Sequence, residues 1–140
     1  MARNPGEFNI TEDEEKVFIN NVLNDNNNDC FVAEYDGKII GHCSVRLVNK
    51  YERYRHRAED TFVILKNYWG LGIGGKLMQQ CIDWCKTKKI LQIELRVVAD
   101  NTHAIKIYES FGFKTTGTIP NAIQYKDGAF ADENLMVLEL

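Results

Sequence analysis

Apolar and polar positions follow two periods along this chain, one of two residues and one helical. Thr11, a capping residue, precedes Glu12, Asp13, Glu14 and Glu15 and opens a helix whose apolar stripe is Val17, Phe18, Val22 and Leu23. Asn and Asp crowd positions 24–29, a loop composition. Residues 30–35 and 38–47 read as two strands on either side of Asp36 and Gly37, a pair that suits a tight hairpin turn. Positions 57–65 form a third strand. Its apolar end, Phe62, Val63, Ile64 and Leu65, predicts burial on both faces.

Beyond a Gly-rich turn the spacing becomes helical through Ile73, Leu77, Met78, Cys81, Ile82 and Cys85, and stops in the polar stretch 86–89. Leu91, Ile93, Leu95 and Val97 then alternate as in a strand. Ala104, Ile105, Tyr108 and Phe111 share one face of a helix over 101–111, and Gly112 suits the left-handed cap just past its end. Strands near 113–119 and 134–140 complete the chain. With no repeat and no linker, this order predicts one α+β domain over residues 1–140, a mixed, mostly antiparallel central sheet with helices on both faces.

Composition agrees with that reading. A chain of 140 residues, 44% hydrophobic and 26% charged, can build one core without disulfide or metal staples. Its net charge of -3 gives no overall pull toward nucleic acid or an anionic membrane. No apolar run approaches the ~20 residues of a membrane span, and the first residues lack the apolar stretch of a signal peptide, which predicts a cytoplasmic protein. Cys30, Cys43, Cys81 and Cys85 are too few and too uneven for a disulfide scaffold, and no His or Cys cluster has zinc-ligand spacing. They read as core thiols, with no metal expected. Arg53, Arg55 and Arg57 alternate with Tyr54 and His56, a one-sided basic stripe if extended, taken as the solvated end of a hairpin. Trp84, Phe111 and Phe113 read as core.

Two segments carry chemistry. Gly70-Leu71-Gly72-Ile73-Gly74-Gly75 lies between a strand and a helix, where glycine admits close backbone approach and unpaired helix amides suit phosphate or pyrophosphate. A tight turn that binds nothing is the plainer alternative. The spacing also satisfies a dinucleotide fingerprint, but about half the chain precedes it, and no Lys-Ser or Lys-Thr pair completes a P-loop. The second segment is Asn101-x-x-Ala104-x-x-x-Tyr108, with Asn101 at a cap position and Tyr108 two turns on, roughly 10 Å along the same face. Such a face suits an extended ligand; capping and packing alone would also explain it.

Together, in this order, the two segments resemble the acetyl-CoA-binding core of the GNAT superfamily of N-acetyltransferases, over about residues 30–140. The family's signature is Arg or Gln, two residues, Gly, one residue, then Gly or Ala. Gly72 and Gly74 match both small positions, and Trp69 stands where Arg or Gln is usual. The resemblance implies that Phe62, Val63 and Ile64 align the pantetheine arm through main-chain hydrogen bonds. It implies that Gly70, Leu71, Gly72, Ile73, Gly74 and Gly75 hold the pyrophosphate, that Asn101 contacts the cofactor beyond it, and that Tyr108 is the general acid. The implied activity is transfer of the acetyl group of acetyl-CoA to a primary amine by direct attack in a ternary complex. A non-catalytic acyl-CoA-binding module is the alternative.

A primary amine with a lysine-like pKa near ~10.4 needs a base at neutral pH. Glu59 is the first candidate, followed by Asp60, Glu94 and His56; strand alternation puts Glu59 and Asp60 on opposite faces. Superfamily members usually begin with a strand and a helix before the segment resembling residues 11–23, and here about ten residues precede it. Those elements wall the acceptor site in the family. Their expected absence leaves room for a partner chain, a homodimer included, over a sheet edge. The acceptor is a small-molecule or peptide amine that the sequence does not choose.

Overall fold

The computed structural model describes residues 27–140. The helix expected over 11–23 lies outside them. The described elements are β1 (Asn28–Tyr35), β2 (Lys38–Leu47), β3 (Arg57–Ile64), α1 (Ile73–Thr87), β4 (Gln92–Val98), α2 (Thr102–Ser110), β5 (Lys114–Gln124) and β6 (Phe130–Glu139). The strands are hydrogen-bonded in the order β1-β2-β3-β4-β6-β5. Neighbours β1 and β2, β2 and β3, and β5 and β6 run antiparallel. This is the mixed, mostly antiparallel sheet of an α+β fold. Two compact units divide the described residues, 27–93 with Leu140 in one and 94–139 in the other. No helix among the described residues is long and apolar enough to cross a membrane.

In the first unit, Asp36 and Gly37 both take positive φ, 50° and 76°, the geometry of a primed hairpin turn whose twist matches its strands. From Gly41 opposite Ile64 to Leu47 opposite Ala58, the register of β2 with β3 is unbroken. Between them the chain bends, because the Asn49 side-chain carbonyl accepts the Tyr51 N–H at 3.0 Å and Glu52–Tyr54 then form one 3-10 turn. The Arg53-Arg55-Arg57 stripe therefore does not exist as an extended row. Helix α1 lies across β1, β2 and β3. It buries Leu77, Met78, Cys81, Ile82 and Cys85, and the core of the unit includes Ile40, Cys43, Val45 and Ala58. The two-faced burial expected at the end of β3 is not found: Val63 and Leu65 are 38% and 42% exposed. Helix α1 seats on the Phe62 and Ile64 side only, through its Gly74.

In the second unit, Leu95, Val97 and Val98 of β4, together with Tyr108, Phe113, Met136 and Leu138, are buried. Strands β5 and β6 are longer than the apolar pattern predicts. β5 is exposed along nearly its whole length, so no apolar alternation marks it. It runs through Pro120, which an edge strand tolerates because the missing N–H faces no neighbour. Beside the proline, Asn121 takes φ 51° and its N–H donates to Asp132 Oδ1 at 2.9 Å. The ladder resumes at Ile123 opposite Ala131.

Helix α2 ends where the sequence places its cap. Gly112 has φ 100°, and its N–H donates to the Glu109 carbonyl at 2.9 Å. A Cβ there would stand 3.2 Å from Leu138 Cδ1. Two penalties coincide, an unfavourable backbone for any L side chain and a crowded site. Gly112→Ala is expected to cost roughly 1–3 kcal/mol of unfolding free energy. Gly37→Ala, in open space, is expected to cost less. Urea unfolding of both variants reads the difference, and equal costs would show that Leu138 yields freely.

Candidate active site

The turn between β3 and α1 is built from the strand end outward. After Ile64 comes one 3-10 turn over Lys66–Tyr68, then Gly70 and Gly72, each at φ 78°. Gly72 is the N-cap of α1, left-handed and without a side-chain cap. Its carbonyl accepts the Lys76 N–H at 3.3 Å. The first-turn amides, those of Ile73, Gly74 and Gly75, have no partner inside the helix by geometry, and no acidic residue stands in that turn. The arrangement presents N–H groups at the positive end of a helix dipole and suits an anion.

Three of the four glycines also have local reasons. Gly70 and Gly72 supply positive φ, and Gly74 is the contact point with β3. A Cβ on Gly74 would stand 2.9 Å from Phe62 Cζ and 3.2 Å from Ile64 Cδ1. The number of glycines is thus a poor argument for anion binding, and the open amides are the better one. Trp69, at the family's Arg or Gln position, is 52% exposed, and its indole Nε1–H donates to the Ile64 carbonyl at 2.9 Å. The side chain braces the turn against the strand end. It also occupies one of the main-chain acceptors at the strand expected to align the pantetheine arm. Nothing in the one-dimensional pattern announces this bond, because five residues in a turn set no fixed direction.

In the second unit, Asn101 caps α2. Its Oδ1 accepts the Ala104 N–H at 3.3 Å, and its carbonyl accepts the Ile105 N–H at 3.1 Å. Tyr108 is 9% exposed, and its ring meets Phe113 edge-on at 5.8 Å. Both residues therefore fulfil the structural roles that the sequence allows, the cap and the packed ring. The cap engages only the amide oxygen of Asn101.

The four candidate bases occupy unlike environments. Arg46 donates through Nε to Glu59 Oε1 at 2.5 Å, and its Nη2 is also 2.5 Å from that oxygen. The pair is largely exposed, at 67% for the Arg46 side chain and 38% for Glu59. Asp60 points the other way, as the regular β2–β3 register requires. One of its carboxylate oxygens lies within 4.8 Å of Cys43 Sγ and Cys81 Sγ. Burial pushes Asp60 up to about 7, against a backbone hydrogen bond at the same residue that lowers it. Glu94 is buried on β4. His56 is exposed, and its carbonyl accepts the Leu91 N–H at 2.8 Å.

Comparison with known proteins agrees with this geometry. Residues 2–113 match the profile of the Acetyltransferase (GNAT) family. The chain is 33% identical over 88 residues to the L-amino acid N-acetyltransferase AaaT of Escherichia coli (strain K12), a match covering 62% of this chain and 54% of that protein. It is 29% identical over 110 residues to the spermine/spermidine N(1)-acetyltransferase of Bacillus subtilis (strain 168), covering 76% of this chain and 66% of that one. The chain thus spans between about half and two thirds of the length of these curated relatives. A solved acetyltransferase of the GNAT family from Streptococcus pneumoniae superposes with a TM-score of 0.85 at 28% identity, covering 95% of this chain and 79% of that one. A profile match over most of the sequence, on a chain whose glycine turn opens the helix that follows a sheet strand, establishes that this protein belongs to the GNAT family of acetyltransferases.

Proposed function

We propose that this chain is an N-acetyltransferase that carries the acetyl group of acetyl-CoA to the primary amine of a small molecule, by direct attack in a ternary complex. The observation that carries the reading is the left-handed Gly72 cap with the open first turn of α1, in a chain of this family. The named relatives act on amino acids and polyamines, which supports a small-molecule acceptor. The amides of residues 70–75 take the pyrophosphate. Phe62, Val63 and Ile64 offer main chain to the pantetheine arm, and Asn101 contacts the cofactor through its amide nitrogen, the oxygen being used in the cap.

In the reaction, a base first removes a proton from the ammonium form of the acceptor. The neutral nitrogen attacks the thioester carbonyl carbon, a main-chain N–H stabilises the oxyanion, and the C–S bond breaks as the C–N bond is made. Tyr108 donates its hydroxyl proton to the departing thiolate, and the second proton, which the attacking nitrogen sheds as the amide forms, restores the tyrosine hydroxyl. Glu59 is proposed as the base, with Arg46 holding the carboxylate in place.

Acetyl-CoA with a panel of amino acids and polyamines should release free thiol. A rise in melting temperature with acetyl-CoA but no thiol from any amine would instead make the chain a binding module. Tyr108→Phe keeps the ring on Phe113 and should lower kcat by roughly 10²–10⁴-fold with nearly unchanged CoA affinity; full activity would exclude Tyr108 as the acid.

Asn101→Asp preserves the cap oxygen and removes the amide donor. It should therefore leave stability within a few tenths of a kcal/mol while weakening CoA binding, whereas Asn101→Ala also loses about 1 kcal/mol of capping. Unchanged CoA affinity in the aspartate variant would reduce Asn101 to a cap. Glu59→Gln should lower kcat by roughly 10²-fold with little change in melting temperature, since an exposed ion pair stabilises by at most about 1 kcal/mol. Wild-type kcat in that variant would move the base elsewhere.

A further inference from the structure

Between α1 and the sheet of the first unit, three side chains from three elements converge: Cys43 of β2, Asp60 of β3 and Cys81 of α1. Their ligand atoms, two Sγ and one carboxylate oxygen, all lie within 4.8 Å of one another. Cys43 and Cys81 are wholly buried. Cys85, one helical turn along, is also wholly buried. Asp60 Oδ2 is buried and has no hydrogen-bond partner among the described residues. An apolar core has no use for this combination. A carboxylate enclosed among thiols is costly unless it is protonated or neutralised by a cation. All the cysteines are free thiols.

We propose that Cys43, Asp60 and Cys81 form a binding site for a divalent, borderline-soft cation, zinc in the first place, that fastens α1 to β2 and β3. Two thiolates and a carboxylate are a donor set that selects zinc over magnesium or calcium, which take oxygen ligands. Tetrahedral zinc with sulfur at about 2.3 Å holds its sulfurs about 3.8 Å apart, so the two sulfurs need to close by no more than about 1 Å. Binding sends the Cys43 and Cys81 protons, with any proton on Asp60, to solvent, and leaves a net charge of -1 on the cation and its three ligands. The remaining coordination position falls to Cys85 or to a water. The role is structural: the site braces the helix whose first turn opens the candidate active site, and the proposal does not depend on the reaction assigned there.

The full chain, reduced and incubated with zinc or cobalt(II) chloride and then desalted, tests it by elemental analysis and absorption spectroscopy. Wild type should retain about one equivalent per chain, show thiolate-to-cobalt charge transfer in the near ultraviolet, and melt at a higher temperature with zinc. Asp60→Asn, nearly isosteric, should lose cation affinity at least tenfold, about the size of effect expected even for a group one shell further out. Cys43→Ala should weaken the charge-transfer band, and Cys30→Ala, outside the cluster, should leave it unchanged. If Cys43→Ala fails to fold, Asp60→Asn alone decides. Substoichiometric retention by folded wild type, or a cobalt band indifferent to both cluster substitutions, would overturn the site.

Discussion

The rest of the first unit depends on the close approach of α1 to the end of β3. Gly74 is the point of contact, with no room for a Cβ against Phe62 and Ile64. In the turn that leads into this helix, Gly70 and Gly72 are left-handed. Gly72 brings no side chain to cap the helix, so the first-turn amides of α1 have no partner inside the helix and no side-chain cap. Trp69 closes the arrangement by bonding the strand's last carbonyl.

Strand β3 divides its chemistry by face. Alternation sends Glu59 to the surface, where Arg46 holds it, and sends Asp60 inward to two buried thiols. A carboxylate in water and one shut away from it are different reagents, although the residues are neighbours in sequence. The outward one is paired with a guanidinium at the surface. The inward one is raised by desolvation and acquires a function only if something in the core answers its charge.

Where apolar periodicity was strong, elements could be read directly. The 38–47 strand and the Asp36-Gly37 turn form as expected, and α1 and α2 start and stop within a few residues of their cues. The readings failed where periodicity was weak or where a side chain redirected the backbone. The exposed β5 shows no alternation, so its extension through Pro120 to Gln124 went unseen, as did the early start of β6. Asn49 turned the arginine-rich segment out of the extended form. The end of β3 is apolar on both sides but covered by α1 on one, a distinction that composition does not carry.

Of the candidate site, the sequence by itself determined what is local: the glycine turn, the Asn101 cap, the Tyr108 face and the separation of Glu59 from Asp60. Each follows from backbone angles, hydrogen bonds or side-chain direction over a few consecutive residues, and these are properties of short stretches. Only the tertiary structure decided that Trp69 braces Ile64, that Arg46 claims Glu59, and that Cys43, Asp60 and Cys81 meet. Those partners are separated by turns or whole elements, and no spacing along the chain encodes their encounter. It arises when β2, β3 and α1 bury their apolar faces together, and the polar groups among them are carried into the same enclosed space.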